Sequence, residues 1–405
     1  MSATGEPARV RCCIAGGGPA GMMLGLLLAR AGTDVVVLEK HADFLRDFRG
    51  DTIHPSTLEV MHELGILDAF LRLPHQQVEH LGLAIGDETL PVADFSHLPT
   101  RCRFVAFMPQ WHFLDFIAGE GRRYPGFALR MCAEVTDLIA EGGRVAGVRA
   151  TTPDGPLEVR ADLVVAADGR SSRVRALAGL PVDELGAPMD VLWFRLSRRP
   201  ADGADTMGRV AAGHILVLID RGELWQCGYV IPKGAFDAIR ARGLEAFRAE
   251  VAALAPFVAD RTAEIAGWDD VKLLTVQVDR ARRWHRPGLL CIGDAAHAMS
   301  PIGGVGINLA IQDAVAAANR LAEPLRAGRL TEADLHAVQR RRELPTRVTQ
   351  RIQLLAQERI VRPVLGRTEQ MRPPALLRLL ARFPVLQRIP GRLVGLGVRP
   401  EHVRI

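Results

Sequence analysis

The stretch Gly16-Gly17-Gly18-Pro19-Ala20-Gly21 decides the fold of this chain. Ahead of it runs the apolar segment 10–15; behind it lie a helix-competent segment, 19–31, and a β-branched run, 33–38, that closes on Glu39. Strand, tight turn, helix and strand in this order form a parallel crossover unit. Gly16 lets the chain turn sharply off the strand, Gly18 lets the backbone approach a pyrophosphate, and Gly21 lets the helix pack closely on the sheet. The helix that opens at Pro19 and Ala20 offers N–H groups and the positive end of its dipole to phosphate. Glu39 can accept hydrogen bonds from ribose hydroxyls and would repel a 2′-phosphate. The pattern predicts a dinucleotide site.

Two further segments carry chemistry. Ala167-Asp168-Gly169-Arg170-Ser171-Ser172-Arg173-Val174-Arg175 follows the apolar run 163–167. Cys291-Ile292-Gly293-Asp294-Ala295-Ala296-His297 runs on into Pro301-Ile302-Gly303-Gly304-Val305-Gly306-Ile307-Asn308. A strand ending in Gly293-Asp294 sets a carboxylate at the sheet's edge, where it can accept from a polyol chain such as ribityl. Glycines 303, 304 and 306 expose N–H donors at the start of a new helix, suited to a ring that carries negative charge when reduced.

Composition restricts the remaining possibilities. A chain of 405 residues has room for two core-forming units or one large interleaved domain. The polar start lacks the basic-then-apolar pattern of a secretory signal, and no run is apolar and long enough to span a membrane. The six cysteines are scattered, without metal-ligand spacing or a disulfide framework, which predicts buried thiols in a reducing cytoplasm. The net charge of +5 hides an asymmetry: residues 340–405 hold fifteen arginines and no lysine against four glutamates, an excess of +11, leaving −6 on the rest.

Together the three segments resemble those of the class A FAD-dependent aromatic monooxygenases, the para-hydroxybenzoate hydroxylase family, which also includes ubiquinone-biosynthesis hydroxylases. The resemblance covers roughly residues 8–325. It implies an α/β fold in which a Rossmann-like FAD-binding domain (8–75, 100–180 and 287–330) interleaves with a mostly antiparallel β-sheet substrate domain (76–99 and 181–286). An Arg-rich helical region (331–405) would follow. It further implies that Gly16, Gly18, Pro19, Ala20, Gly21, Glu39 and Lys40 hold ADP. Arg49 would neutralise the pyrophosphate, Asp168 and Arg175 would bracket it, and Gln110 would touch the flavin from a helix start. Asp294 would hold the ribityl chain, and Pro301, Gly303, Gly304, Val305, Gly306, Ile307 and Asn308 would line the flavin where oxygen reacts. Val305 departs from the family, in which many members have Gln there. The implied reaction takes hydride from NADH or NADPH onto FAD and passes one oxygen of O2, through a flavin C4a-hydroperoxide, to an aromatic, phenolic, polyketide or quinone-like molecule.

On the substrate side, candidates are His54, Trp111 and His112 near flavin-contacting positions, and Trp193, Phe194, Arg195, His214, Trp225, Gln226 and Tyr229 on expected strands. Alternation sends one subset of the strand residues toward the flavin and the other away. Leu376, Leu379, Leu380 and Phe383 fall at helical spacing among Arg378 and Arg382. They predict a helix packed on the body, with peripheral contact to an anionic membrane as the second reading. No stacking platform favours nucleic acid. Monomer and homodimer both stay open. The rival activities are a prenyl reductase, a halogenase or a flavin-free prenyl-binding protein; Gly267-Trp268-Asp269-Asp270 does not supply the halogenase signature Trp-x-Trp-x-Ile.

Overall fold

A computed structural model describes residues 8–45, 52–86, 88–203, 207–211, 213–367 and 373–405. Strand β1 (Ala8–Ala15), helix α1 (Pro19–Arg30) and strand β2 (Val35–Leu38) form the expected crossover unit. The short strand β3 (Thr52–Ile53) leads into α2 (Pro55–Glu63), where Pro55 takes a first-turn position that needs no N–H. A hairpin follows, β4 (His80–Ile85) and β5 (Glu88–Asp94), then α3 (Gln110–Gly121). Next come β6 (Phe127–Arg130), the hairpin of β7 (Glu134–Glu141) and β8 (Arg144–Thr152), β9 (Gly155–Ala166) and the short helix α4 (Arg173–Leu177).

The second half opens with β10 (Met189–Ser197), β11 (Met207–Ala211), β12 (His214–Asp220) and β13 (Leu224–Pro232). Helices α5 (Phe236–Ala241) and α6 (Leu244–Leu254) come next, then strands β14 (Lys272–Leu274), β15 (His285–Arg286) and β16 (Leu289–Cys291). Five helices follow among the described residues: α7 (Gly306–Arg326), α8 (Glu332–Ala356), α9 (Arg362–Leu365), and the hairpin of α10 (Ala375–Arg382) and α11 (Pro384–Gly395). A π-turn, Gln357–Val361, joins α8 to α9.

Two sheets organise these elements. The larger runs β15-β16-β9-β1-β2-β6, parallel from β16 to β6, with β8 and β7 folded back on β9. Its central strands are buried along their whole apolar length, as parallel strands covered on both faces must be. The second sheet runs β14-β10-β13-β12-β11-β4-β5 and is antiparallel except where β11 meets β4. The β-branched run 271–278 would suit a longer strand than β14, which covers only Lys272–Leu274. Beyond Leu274 the chain leaves the ladder, because the N–H of Val276 donates to Asp190 and its carbonyl accepts from Lys233. Strands β4 and β5, from the segment 76–99 expected in this sheet, and β11 extend it by three. All six cysteines are free thiols, five of them buried. No described helix is long and apolar enough to cross a membrane.

Candidate active site

The glycine turn has the form its sequence suggests. Gly16 sits at φ 108°, and a Cβ there would lie 2.4 Å from the carbonyl oxygen of Ala167. A Cβ on Gly21 would lie 2.0 Å from the oxygen of Gly16, so helix and strand approach to a distance that only glycine allows. Around Gly18 the space is open to 4 Å. Helix α1 begins there with Pro19 in its first turn and no side chain capping its amides. An open cradle of N–H groups at a helix N-terminus fits a pyrophosphate. Glu39, 9% exposed, accepts the Gly17 N–H at 2.8 Å and the His41 N–H at 3.1 Å, so it shapes the turn as well as facing it. A carboxylate has about four acceptor positions, which leaves these bonds compatible with ribose. Lys40 is exposed, and Arg49 lies outside the described residues.

The middle motif lies beside the glycine turn and is held by bonds of its own. Asp168 adjoins the glycine turn, but its carboxylate accepts from the Ser172 hydroxyl at 2.5 Å and the Val174 N–H at 3.1 Å, capping α4. Arg175 is buried and donates to the carbonyls of Ala295 at 2.9 Å and Arg170 at 3.1 Å. Asp168 thus braces the second motif internally, while Arg175 ties it to the third at Ala295, because a buried guanidinium needs fixed acceptors. The guanidinium that comes up to Asp294 is that of Arg170, at 3.7 Å, and both groups are partly exposed at the sheet's edge.

Beyond Asp294 the loop turns on Gly303 (φ 77°) and Gly304 (φ 61°), both left-handed. Helix α7 then opens after Val305 with no side-chain cap, so its first amides are available to a ring's acceptor edge. Pro301 begins this turn as the residue before the short 3-10 segment. Two residues of this segment also make firm contacts within the protein. Asn308 is buried: its Oδ1 accepts the His54 N–H and the Thr57 hydroxyl, each at 2.8 Å, and its Nδ2 donates to the Thr52 carbonyl at 3.0 Å. Ile307 belongs to the main apolar core. The Thr52 hydroxyl in turn donates to Gly304 at 2.9 Å. His54, also buried, donates from Nδ1 to the Val394 carbonyl at 2.7 Å. Burial lowers its pKa to about 4, so at neutral pH it is an uncharged anchor for α11 rather than a proton relay.

A set of residues that sequence reasoning missed lies along one face of α8 and the turn after it. Gln339, Arg342, Thr346, Gln350, Gln353 and Gln357 are all buried. Gln339 accepts the Trp284 N–H and donates to the Arg282 carbonyl. Gln350 donates to the carbonyls of Asp279 and Ala298. Gln353 accepts the Ser300 N–H and donates to the carbonyls of Ser300 and Ile302, and Gln357 donates to the Ser300 hydroxyl. The ladder supplies partners to an irregular backbone that no sheet serves, which buried peptide groups require. Beneath it, Asp313 is fully buried and accepts from His297 at 2.6 Å, the Gly293 N–H at 3.0 Å and Arg342 at 2.9 Å. Burial pushes this carboxyl up, but His297 and Arg342 more than offset it, and its pKa lies below the ordinary value. The available signal was the spacing of these polar residues by threes and fours.

The second sheet has two unlike faces. Leu192, Phe194, Leu216, Leu218, Trp225, Cys227 and Tyr229 pack under Phe247 and Val251 of α6. Trp225 and Tyr229, both candidates for the substrate side, therefore point away from the flavin loop, with the Tyr229 hydroxyl bonded to His214 and Glu250. The opposite face carries Val191, Trp193, Ile215, Val217 and Val230, and Ile302 of the flavin loop packs there. Trp111 packs on the main core and meets His112 edge to face, with Gln110 starting the same helix.

Comparison with known proteins agrees with this geometry. Residues 9–352 match the family model described as an FAD binding domain. The chain is 36% identical over 398 residues to 6-methylpretetramide 4-monooxygenase of Streptomyces rimosus, covering 96% of this chain and 94% of that one. It is 30% identical to a 12-dehydrotetracycline 5-monooxygenase/anhydrotetracycline 6-monooxygenase from the same species, of whose length it spans 60%. Among solved structures, p-nitrophenol 4-monooxygenase from Pseudomonas putida superposes with a TM-score of 0.76 over 95% of this chain and 97% of that chain, at 21% identity, a likeness of fold. The chain belongs to the class A FAD-dependent monooxygenases.

Proposed function

We propose that this monooxygenase hydroxylates an electron-rich aromatic compound of polyketide type, using NADH or NADPH and O2. The observation that carries the reading is the packing of Ile302, in the loop after Asp294, on the face of the second sheet turned away from α6. An apolar wall thus adjoins the flavin edge, and the relative that matches over nearly its full length is named for a monooxygenase acting on 6-methylpretetramide. When bound, FAD supplies the redox chemistry, taking hydride from the nicotinamide and activating oxygen. The chain's part is to bind, orient and keep water out. Backbone amides at Gly18 and in the first turn of α1 would receive the pyrophosphate, Glu39 the ribose, and Asp294 with Arg170 beside it the ribityl region. The amides that open α7 would serve the ring's acceptor edge. Residues 80–94 and 189–274 act as the substrate wall.

The test uses the FAD-loaded protein. NAD(P)H oxidation should rise on addition of a polyketide-type phenol, and mass spectrometry should find a product heavier by one oxygen. Protein that retains no flavin after reconstitution, or that yields only hydrogen peroxide with every aromatic tried, would refute the reading.

We also propose peripheral contact with an anionic membrane through α10 and α11, where Leu379, Phe383, Val385, Ile389 and Leu393 are exposed. Arg378, Arg382, Arg388 and Arg392 lie exposed among them. Exposed apolar residues framed by arginines suit an anionic interface. Co-sedimentation with phosphatidylserine vesicles, but not with neutral ones, is the expected result.

A further inference from the structure

Gly228 occupies the middle of β13, flanked in register by Trp193 of β10 and Val217 of β12. Glycine weakens the interior of a strand and there usually marks the close approach of another group. Its backbone is not left-handed, so conformation does not call for glycine. Space does. A Cβ on Gly228 would lie 3.1, 3.1 and 3.4 Å from three consecutive ring carbons of Trp193, Cη2, Cζ3 and Cε3. Three consecutive ring atoms at nearly equal distance from one point indicate contact with the face of the ring, not with its edge. The indole therefore lies flat across the strand instead of standing off the sheet.

One face of the indole covers Gly228, so the other looks off the sheet, on the side where the flavin loop and the C-terminal helices lie. Trp193 packs against two apolar groups at once. One includes Val394 and Leu396 at the end of α11, with Phe107 and Ile219; the other includes Ile302 of the flavin loop and Val361 of the π-turn. Trp193 is only half-buried, whereas its strand neighbours on the opposite face, Leu192 and Phe194, are fully buried. Two residues along the same face, Arg195 pairs in register with Gln226 and makes one end of the wall polar.

We propose that Trp193, laid flat on Gly228, is a stacking platform that makes this face of the sheet selective for planar fused-ring aromatics. A flat indole matches a flat polycycle over its whole area, whereas a single ring covers only part of it. Aromatic stacking adds to apolar burial, and the contribution grows with overlap. Arg195 and Gln226 then serve the oxygen-bearing end of such a molecule. The proposal rests on the aromatic-hydroxylase reading, and it adds the residue that reads ring number.

The experiment compares wild type, Trp193→Ala, Trp193→Phe and Gly228→Ala, each as FAD-loaded protein. Binding of 1,8-dihydroxyanthraquinone and of phenol is read from the perturbation of flavin absorbance, which needs no turnover. Trp193→Ala should weaken anthraquinone binding by about tenfold while leaving phenol binding within about twofold. Trp193→Phe should recover part of the loss, and Gly228→Ala should mimic it in part by tilting the indole. FAD content and the unfolding midpoint should match wild type in the three variants. Equal effects on both ligands, or none on either, would overturn the platform while leaving the hydroxylase reading intact. If wild type binds neither ligand nor hydroxylates any aromatic compound, both readings fall.

Discussion

Helix α8 and the α10–α11 hairpin belong to one Arg-rich stretch, yet they sit in the protein in opposite ways. Helix α8 buries polar side chains, Gln339, Arg342, Gln350 and Gln353, and leaves Leu344, Ile352 and Leu355 exposed. The α10–α11 hairpin turns Gly391 and Gly395 inward, where a Cβ would lie 2.0 Å from the Asp94 carbonyl oxygen and 2.6 Å from Leu98, and exposes Phe383, Val385 and Ile389. The difference teaches that the surface being covered decides which face goes inside. Helix α8 lies against an irregular loop whose peptide groups need partners, so amides are buried there. Helix α11 lies against the completed hairpin of β4 and β5, so closeness of backbone is what counts.

The largest effect should come from breaking the ion pair under α8. Arg342→Met leaves Asp313 buried beside His297 without its guanidinium, which should cost about 3–5 kcal/mol in denaturant unfolding. Adding Asp313→Asn should recover part of that loss; strict additivity of the two changes would show that the pair is not coupled.

His54 tests how α11 is anchored. Its folded pKa, about 4, lies below the ordinary 6.5 because burial disfavours the charged ring. The unfolded chain therefore binds the proton more readily, and the stabilisation is fully present above pH 6.5 and is lost as pH falls toward 4. The loss should reach about 3 kcal/mol at the lower end. His54→Asn, which keeps a donor for Val394, should flatten stability across this window, and an unchanged slope would count against the assignment.

Gln353→Leu strips partners from one N–H and two carbonyls of the loop and should cost about 1–3 kcal/mol. It should also lower the fraction of NAD(P)H that ends in hydroxylated product, with hydrogen peroxide making up the difference. A loss of stability with coupling unchanged would show that the ladder holds the fold but not the loop's position. At the small end, Ile389→Ser on exposed α11 should change stability by less than about 0.5 kcal/mol. The same change should reduce retention on anionic vesicles, which separates a surface role from a packing role.

Much of the cofactor half was legible from local pattern. Helices α2 and α3 begin at Pro55 and Gln110, where their sequence signals lie, and the glycine turn needs nothing beyond its own backbone. Roles set by distant partners were not legible. That Asp168 also braces Ser172, and that Arg175 reaches the carbonyl of Ala295, shows only in the folded chain. Nor does the sequence show that Thr52 and His54 stand at either end of the Asn308 amide.

The strands of the second sheet mark the same boundary from another side. Alternation in β10 and β13 divides Trp193 from Phe194 and Gly228 from Tyr229, but period two does not say which set meets the flavin loop. Helix α6 settles it by covering Phe194, Trp225 and Tyr229, and Ile302 takes the other face. The sequence by itself determined the nucleotide-binding unit, because a turn, a dipole and a carboxylate act within about thirty residues of one another. Only the tertiary structure decided the substrate wall and the ladder on α8, because the partners of a side chain far along the chain exist only once the chain has folded.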